Sequence, residues 1–369
     1  MKDVKDLSFE ELRAELVRMG EPAFRAGQIF DWLYKKGAAR FEDMTNLSRE
    51  LRAKLGRAFA VGSLELAGVF RSKDRAEKYV FRLHDGHRIE SVLIPAEGRM
   101  MAAGAPGSSA SAVLAQNEII RSSREPKARR LTVCVSTQVG CKFACAFCAS
   151  GRHGFVRHLT ASEIVGQVLY FKEHLGAPPT NIVFMGMGEP FDNFENLTRA
   201  VGILNAPRGL AVAARRMTVS TAGFIPGIER FGKLGLQVNL SVSLHAATEA
   251  QRSALMPINR KYPLEKLLAA CEDYLRGGGR KFTLEYVLLK KVNDSAEDAA
   301  RLARIAARLK AKVNLIPFSP VAGLPFEVPE EVRVEAFERV LEGRGVPVTR
   351  RDSKGQDIQA ACGQLAFLD

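Results

Sequence analysis

Long apolar runs are missing from this sequence: no stretch approaches the roughly eighteen uninterrupted apolar residues that a membrane-spanning helix needs. A helical membrane protein is excluded. The N-terminal MKDVKDLSFEELRAEL also lacks the apolar core of a signal peptide, so a cytoplasmic protein is expected. Acid is scarce relative to base: 41 Asp and Glu face 54 Lys and Arg, a formal net charge of +13. That balance fits a polyanionic partner, because each neutralised phosphate releases condensed counterions, although a basic solvated surface needs no partner at all. Cysteine is sparse too. Six thiols in 369 residues, most of them clustered, do not make a secreted disulfide framework and read as metal or catalytic groups. With 46% hydrophobic and 26% charged residues, what remains is a globular chain with room for one main domain of barrel or open-sheet size plus smaller additions.

From Leu7 to Phe59 apolar residues recur at spacings of three and four, as at Leu12 and Leu16, so residues 1–60 are expected to form a small helical domain. Within 61–96, EKYVFRLHDGHRIESVLIP alternates apolar and polar positions on both sides of Asp85–Gly86, which predicts a short β-hairpin adaptor. Residues 97–130 are rich in Gly, Ala and Ser, end in the basic RSSREPKARR, and bury too little apolar surface to offset chain entropy; they read as a mobile insertion. Six short apolar strand candidates then alternate with helical patterns: LTVCVST, NIVFMGM, RMTVST, QVNLSVSL, FTLEYVLL and KVNLIPFS. Near-continuous apolar strands imply burial on both faces, and the strand-helix rhythm implies parallel pairing with right-handed crossovers. Residues 131–350 therefore read as an α/β unit, a partial (β/α)6 barrel, with an open doubly wound sheet as the alternative, and 351–369 as a C-terminal segment. Most polar oddities follow strands, where parallel α/β proteins place their active sites.

Four of the six cysteines stand in CVSTQVGCKFACAFC, residues 134–148. Cys141, Cys145 and Cys148, spaced CxxxCxxC on a loop leaving the first strand of the α/β unit, can take three corners of an iron-sulfur cube and leave one iron open. An open iron can chelate the amino and carboxylate groups of S-adenosylmethionine (SAM), and an electron passed through the cluster then cleaves the sulfonium to a deoxyadenosyl radical. Zinc is the rival, with His153 as fourth ligand. Zinc sites favour paired CxxC knuckles, and this spacing fits them poorly.

The segments EPAFRAGQIFDWLYKKG, MTNLS, IESVLIP, CVSTQVGC, FMGMGEP, VSLHA, LMPINRKYPL, NLIPFSP and IQAACGQL cover, in order, nearly the whole chain apart from the insertion. Together they resemble the radical S-adenosylmethionine superfamily and, within it, the RlmN/Cfr family of RNA adenine methyltransferases. The resemblance implies a radical-SAM barrel with one 4Fe-4S cluster on Cys141, Cys145 and Cys148, and two SAM molecules per turnover. It places SAM contacts at Gly188, Glu189, Ser220, Ser243, Leu244, His245 and Asn314. Taken alone, the polar members of that set read as helix caps, a core histidine and a turn asparagine.

The same resemblance makes Cys362 the methyl carrier and Cys134 the resolving thiol. One SAM methylates Cys362, a second supplies the radical that removes hydrogen from that methyl group, and the carbon radical adds to adenine. Cys134 then attacks the thioether sulfur, releasing the methylated base and leaving a Cys134–Cys362 disulfide to be reduced. Glu90 is implied as acceptor of the ring proton, with the Cys134 thiolate as the alternative; by itself Glu90 reads as a surface strand carboxylate. Cys271 stays an ordinary buried cysteine. The implied substrates are flipped-out loop adenosines, one in 23S rRNA and one following the anticodon in tRNA, methylated at carbon 2. The Cfr branch methylates carbon 8 instead, and the N-terminal segments look like the carbon-2 branch. A small redox protein or other electron donor, a monomeric state and no membrane complete the expectation. The rivals are an iron-sulfur redox sensor that binds RNA without methylating it and another radical enzyme on the same barrel. Cys362 and Glu189 weigh against the first, the Cys134 and Cys362 pair against the second. The insertion separates Glu90 from Cys134 and is expected to bulge outward without moving either.

Overall fold

The computed structural model of the chain describes residues 1–95, 130–152, 154–280 and 282–366. The expected insertion lies outside them except for Arg130, and so does His153.

After a short strand β1 (Lys2–Asp3), helix α1 (Phe9–Arg18) begins at Ser8. The Ser8 hydroxyl accepts from the Glu11 amide at 3.2 Å while the Glu11 carboxylate accepts from the Ser8 amide at 2.7 Å, which satisfies two otherwise orphaned donors. Helix α2 (Arg25–Phe30) continues into a π-helical turn at Asp31–Lys35, and α3 (Arg49–Ala58) leads to β2 (Phe59–Ala60), paired parallel with β1. Leu12, Leu16, Ile29, Phe30, Leu33 and Leu55 close this helical core. Trp32 is partly buried against it and gives its indole N–H to Asn46 at 2.5 Å.

Strands β3 (Glu65–Arg71), β4 (Glu77–Arg82) and β5 (Arg88–Pro95) form an antiparallel meander. The hairpin at Asp85–Gly86 is the one the alternation predicts; β3 was not anticipated, because its largely exposed residues carry no apolar alternation. The meander also extends the main sheet, since β5 pairs antiparallel with β6 (Leu131–Cys134). Next comes a separate ribbon of β7 (Gln138–Gly140) and β8 (Phe155–His158).

The alternating region then runs α4 (Ala161–Leu175), β9 (Asn181–Phe184), α5 (Phe194–Asn205), β10 (Met217–Thr221), α6 (Ile225–Gly232), β11 (Asn239–Ser243), α7 (Glu249–Leu255), α8 (Leu264–Arg276), β12 (Thr283–Leu288), α9 (Ala296–Arg308), β13 (Lys312–Pro317), α10 (Glu331–Glu342) and β14 (Val348–Arg350). The ten-stranded sheet has the order β14-β13-β12-β11-β10-β9-β6-β5-β4-β3. All six expected strands are parallel neighbours in chain order, and β14 adds a parallel edge. The order never reverses, so the doubly wound alternative is excluded. β12 is buried along its whole length, as a strand covered on both faces must be. The N-terminal helices are fastened to this barrel: Arg199 of α5 grips the Glu11 carboxylate at 2.7 and 2.9 Å, and Lys172 of α4 donates to the Tyr34 carbonyl at 2.5 Å. No helix among the described residues is long and apolar enough to cross a membrane.

Candidate active site

Strand β7 ends in Gly140 at φ 73°, where a Cβ would lie 2.0 Å from the Gly154 carbonyl oxygen. Only glycine lets the ribbon close this tightly, and the loop it launches carries Cys141, Cys145 and Cys148. Backbone bonds hold the loop: Cys141 N–H to Gly154 O at 3.0 Å, Ala146 N–H to Leu255 O at 2.8 Å, and Cys148 N–H to Cys145 O at 3.0 Å. The three thiols line one cavity, with about 1000 Å³ of empty space, together with Phe143, Phe147 and Met256. Burial pushes the Cys141 thiol up to about 12 and raises Cys145 and Cys148; at Cys145 the neighbouring sulfurs of Cys148 and Cys141 add to it. Such thiols stay protonated until a cation offsets the charge, which is what bound metal does. Among the described residues no three His, Cys, Asp or Glu gather as a site for a single ion. Three thiols from one loop lining one cavity fit three corners of an iron-sulfur cube.

Strand β9 runs into the turn GMGEP. Gly188 sits at φ 99°, and a Cβ there would be 2.5 Å from the side chain of Gln138, which accepts the Glu189 N–H at 2.7 Å. Glu189 is buried, and its carboxylate accepts from the amides of Phe191 at 3.1 Å and Ala222 at 2.7 Å. Burial outweighs these bonds and raises its pKa to about 7. An ammonium group beside it would hold it ionised. Ser220 near the end of β10 and Ser243 at the end of β11 both line the cavity, their hydroxyls 3.5 Å apart. His245 also lines it, in the left-handed region at φ 56°; its Nδ1 accepts from Val287 N–H at 3.0 Å, and its ring meets Phe147 edge-on with centroids 4.8 Å apart. Burial lowers its pKa to about 3, so the ring is neutral.

Two of the expected cofactor residues do not line the cavity. The Leu244 side chain is wholly buried in the main core. Asn314 reaches the site only through Glu285, to whose Oε1 its amide donates at 3.0 Å. Glu285, Asn314's partner in the β12–β13 register, does line the cavity. Its Oε2 and Asn314 Oδ1 are buried without a hydrogen-bond partner in the protein. Orphaned acceptors require donors, and the hydroxyl and amino groups of SAM provide them, so the residues present fit this cofactor.

Cys134 ends β6, and Cys362 lies on the C-terminal arm that follows β14. Cys362 lines the first cavity and also a second, with about 1270 Å³ of empty space, which Cys134 lines as well. Cys362 is the thiol common to both. Burial raises both thiols, Cys134 to about 12 with Cys362 adding to it, while the Arg351 guanidinium pulls both down. Among the described residues the second cavity is lined by Arg130, Arg350, Arg351 and Lys354 and by one acid, Asp352; Arg350 is also paired with Glu331 and Arg351 with Glu285. The arm is clasped at several points: Asp357 accepts from the Ser72 hydroxyl at 2.5 Å, Asp74 from Gly355 N–H at 2.7 Å, Gly363 O from Ala149 N–H at 2.7 Å, and Leu365 O from the Ser150 hydroxyl at 2.6 Å. Glu90 lines neither of these two cavities. It is buried, paired with Lys78 at 3.0 Å, and accepts from Ala366 N–H at 2.9 Å; burial raises its pKa against the pull of Lys78. Cys271 is buried in the core away from the site.

Two charged residues lining the cavity are not among the expected ones. Glu285 had a signal, a carboxylate inside the apolar FTLEYVLL; Arg351 had none, being one basic residue among many.

A parallel barrel whose first strand leads to a three-cysteine loop, beside a Gly-Glu turn with a buried carboxylate, defines a radical S-adenosylmethionine protein. The chain matches the Radical SAM superfamily over residues 135–303 and the ribosomal RNA large subunit methyltransferase N-terminal domain over residues 2–61. It is 42% identical over 368 residues to the dual-specificity RNA methyltransferase RlmN of Nitratiruptor sp., covering 99% of this chain and 98% of the relative. It is 43% identical over 365 residues to the RlmN of Geobacter sulfurreducens, covering 99% and 92%. The crystal structure of a radical SAM methyltransferase from Sphaerobacter thermophilus superposes over 100% of both chains with a TM-score of 0.85 at 41% identity. The chain belongs to the RlmN family of radical-SAM RNA methyltransferases, whose cofactors are a 4Fe-4S cluster and SAM.

Proposed function

We propose that this protein methylates carbon 2 of an adenosine in 23S rRNA and of the adenosine following the anticodon in tRNA, with Cys362 as methyl carrier and Cys134 as resolving thiol. The observation that carries this reading is the place of Cys362, the one thiol lining both the cofactor cavity and the basic cavity. Cys141, Cys145 and Cys148 hold the cluster, with Glu189, Ser220, Ser243, His245 and Glu285 around SAM and Gly188 letting the turn close on Gln138 beside it. When bound, these groups supply an electron, a methyl group and a hydrogen-abstracting radical. Arg351 favours the Cys362 thiolate that accepts the methyl group. The Cys134 thiolate then attacks the Cys362 sulfur, which frees the modified base and leaves a disulfide for an external thiol to reduce. For Glu90 to take the ring proton, the Ala366 contact must open and expose its Oε2. Arg130 and Lys354 suit a phosphate backbone entering the second cavity, with the target base flipped toward Cys362, while Arg350 is already paired with Glu331 and Asp352. The match of residues 2–61 supports the carbon-2 branch. A cytoplasmic monomer fed by a small redox protein completes the reading and suits ribosomal and transfer RNA substrates.

The test is incubation of anaerobically reconstituted protein with SAM, a reductant and unmodified 23S rRNA or tRNA, with nucleosides identified by mass spectrometry. The expected product is 2-methyladenosine. A peak of 8-methyladenosine would move the chain to the other branch, and neither product from a preparation that cleaves SAM would refute RNA adenine methylation.

A further inference from the structure

Arg252 of α7 heads the fully buried side chains by size, with 0% exposure. Among the described residues no carboxylate forms an ion pair with it. Its Nη1 donates to Asn259 Oδ1 at 2.8 Å, its Nη2 donates to the carbonyls of Ala222 at 2.7 Å and Ser243 at 3.3 Å, and its Nε is buried without a partner. Glu249 reaches this set only through Asn259, whose Nδ2 donates to Glu249 Oε1 at 2.6 Å. A buried charge held by neutral acceptors alone is strongly destabilising, so its retention points to a counter-charge that arrives later.

The geometry says where that charge comes. Ala222 and Ser243, whose carbonyls hold the guanidinium, line the cofactor cavity. Helix α7 ends at Leu255, whose carbonyl accepts from Ala146 N–H at 2.8 Å, the residue after Cys145. Once a bound cluster holds Cys145 as thiolate, its sulfur would act on Arg252 ahead of Glu249. A 4Fe-4S core on three thiolates is a net anion, and one-electron reduction adds a further negative charge.

We propose that Arg252 is the built-in counterion of the iron-sulfur cluster, fixed by two carbonyls of the cavity wall so that its charge favours the loaded, reduced state. It touches neither SAM nor RNA and is a positioning residue that acts through the cluster's charge. The inference rests on the cluster site proposed above. The electron comes from the external donor, and the guanidinium shifts only the equilibrium it meets.

The experiment is a redox titration of the reconstituted full-length protein, followed by electron paramagnetic resonance of the reduced cluster, with iron content measured alongside. Arg252→Gln keeps a donor toward Asn259 but removes the charge. It is expected to make reduction about tenfold less favourable, a shift of about 59 mV for a one-electron couple, while Arg252→Lys recovers most of the wild-type potential. Asn259→Asp, which sets a carboxylate against the guanidinium, is expected to shift the potential the same way and carries the test if the Gln variant does not fold. A fully loaded Gln variant with an unchanged potential would overturn the inference, as would a Lys variant shifted as far as Gln. Wild-type protein that takes up no iron would instead overturn the cluster site itself, and the iron content tells the two failures apart.

Discussion

The two cavities that meet at Cys362 share Arg351, Met185 and Ile316 yet have opposite chemistry. The inner one is walled by aromatic and thiol groups, with two buried carboxylates: Glu189, held by backbone amides, and Glu285, whose nearby cation is Arg351 at 3.8 Å. Among the described residues the outer one is lined by Arg130, Arg350, Arg351 and Lys354 and by the one acid Asp352. The first suits a small cationic ligand taken out of water, the second a polyanion that keeps part of its hydration. A methyl group that must pass from one to the other needs a carrier on the boundary, and Cys362 stands there.

Substitutions on either side of the boundary should therefore fail differently. Cys145→Ala is expected to abolish cluster absorbance, SAM cleavage and methylation together. Cys362→Ala should keep iron content and absorbance while methylation falls at least about a thousandfold; a loss of iron as well would erase the distinction.

Next in size, Glu189→Gln should weaken SAM binding by about tenfold to a hundredfold in calorimetry without changing RNA affinity. With its pKa at about 7, Glu189 is partly protonated at neutral pH, and a cationic ligand favours the ionised form, so wild-type affinity should fall as pH drops through 7. The Gln variant should lose that dependence. The sign for folding is the opposite: because the carboxyl is raised from 4.5, its contribution to the stability of the ligand-free protein is present below 4.5 and lost as pH rises through about 7.

On the outer side, Arg130→Ala and Lys354→Ala should each lower RNA affinity and reduce the slope of log affinity against log salt by about one, leaving SAM binding unchanged. The smallest effect belongs to the arm. Asp74→Ala removes the acceptor of the Gly355 N–H and should loosen arm docking by about 1 kcal/mol, read as faster proteolysis near 355–366 with intact cluster absorbance.

Much of the inner site was legible in the sequence because its parts are local. The cysteine triplet occupies a single loop, and Gly188 and Glu189 follow a recognisable strand. The outer site was less legible. β14, three residues long, and the mostly exposed β3 lack the periodicity that announces an element, and the ribbon of β7 and β8 is too short to show one. Leu244 sits in a segment that resembles a cofactor contact, yet its side chain went to the core.

By itself the sequence determined the cysteine spacing, the six-strand rhythm and the basic balance of charge, because each depends on neighbouring residues or on composition. Only the tertiary structure decided that Cys134 and Cys362 would line one cavity, that Glu285 and Asn314 would keep acceptors without hydrogen-bond partners, and that Arg252 would be buried against the carbonyls of Ala222 and Ser243. Those outcomes come from sheet order and from the arm folding back over it, and burial and charge pairing between distant segments exist only after packing has brought them together.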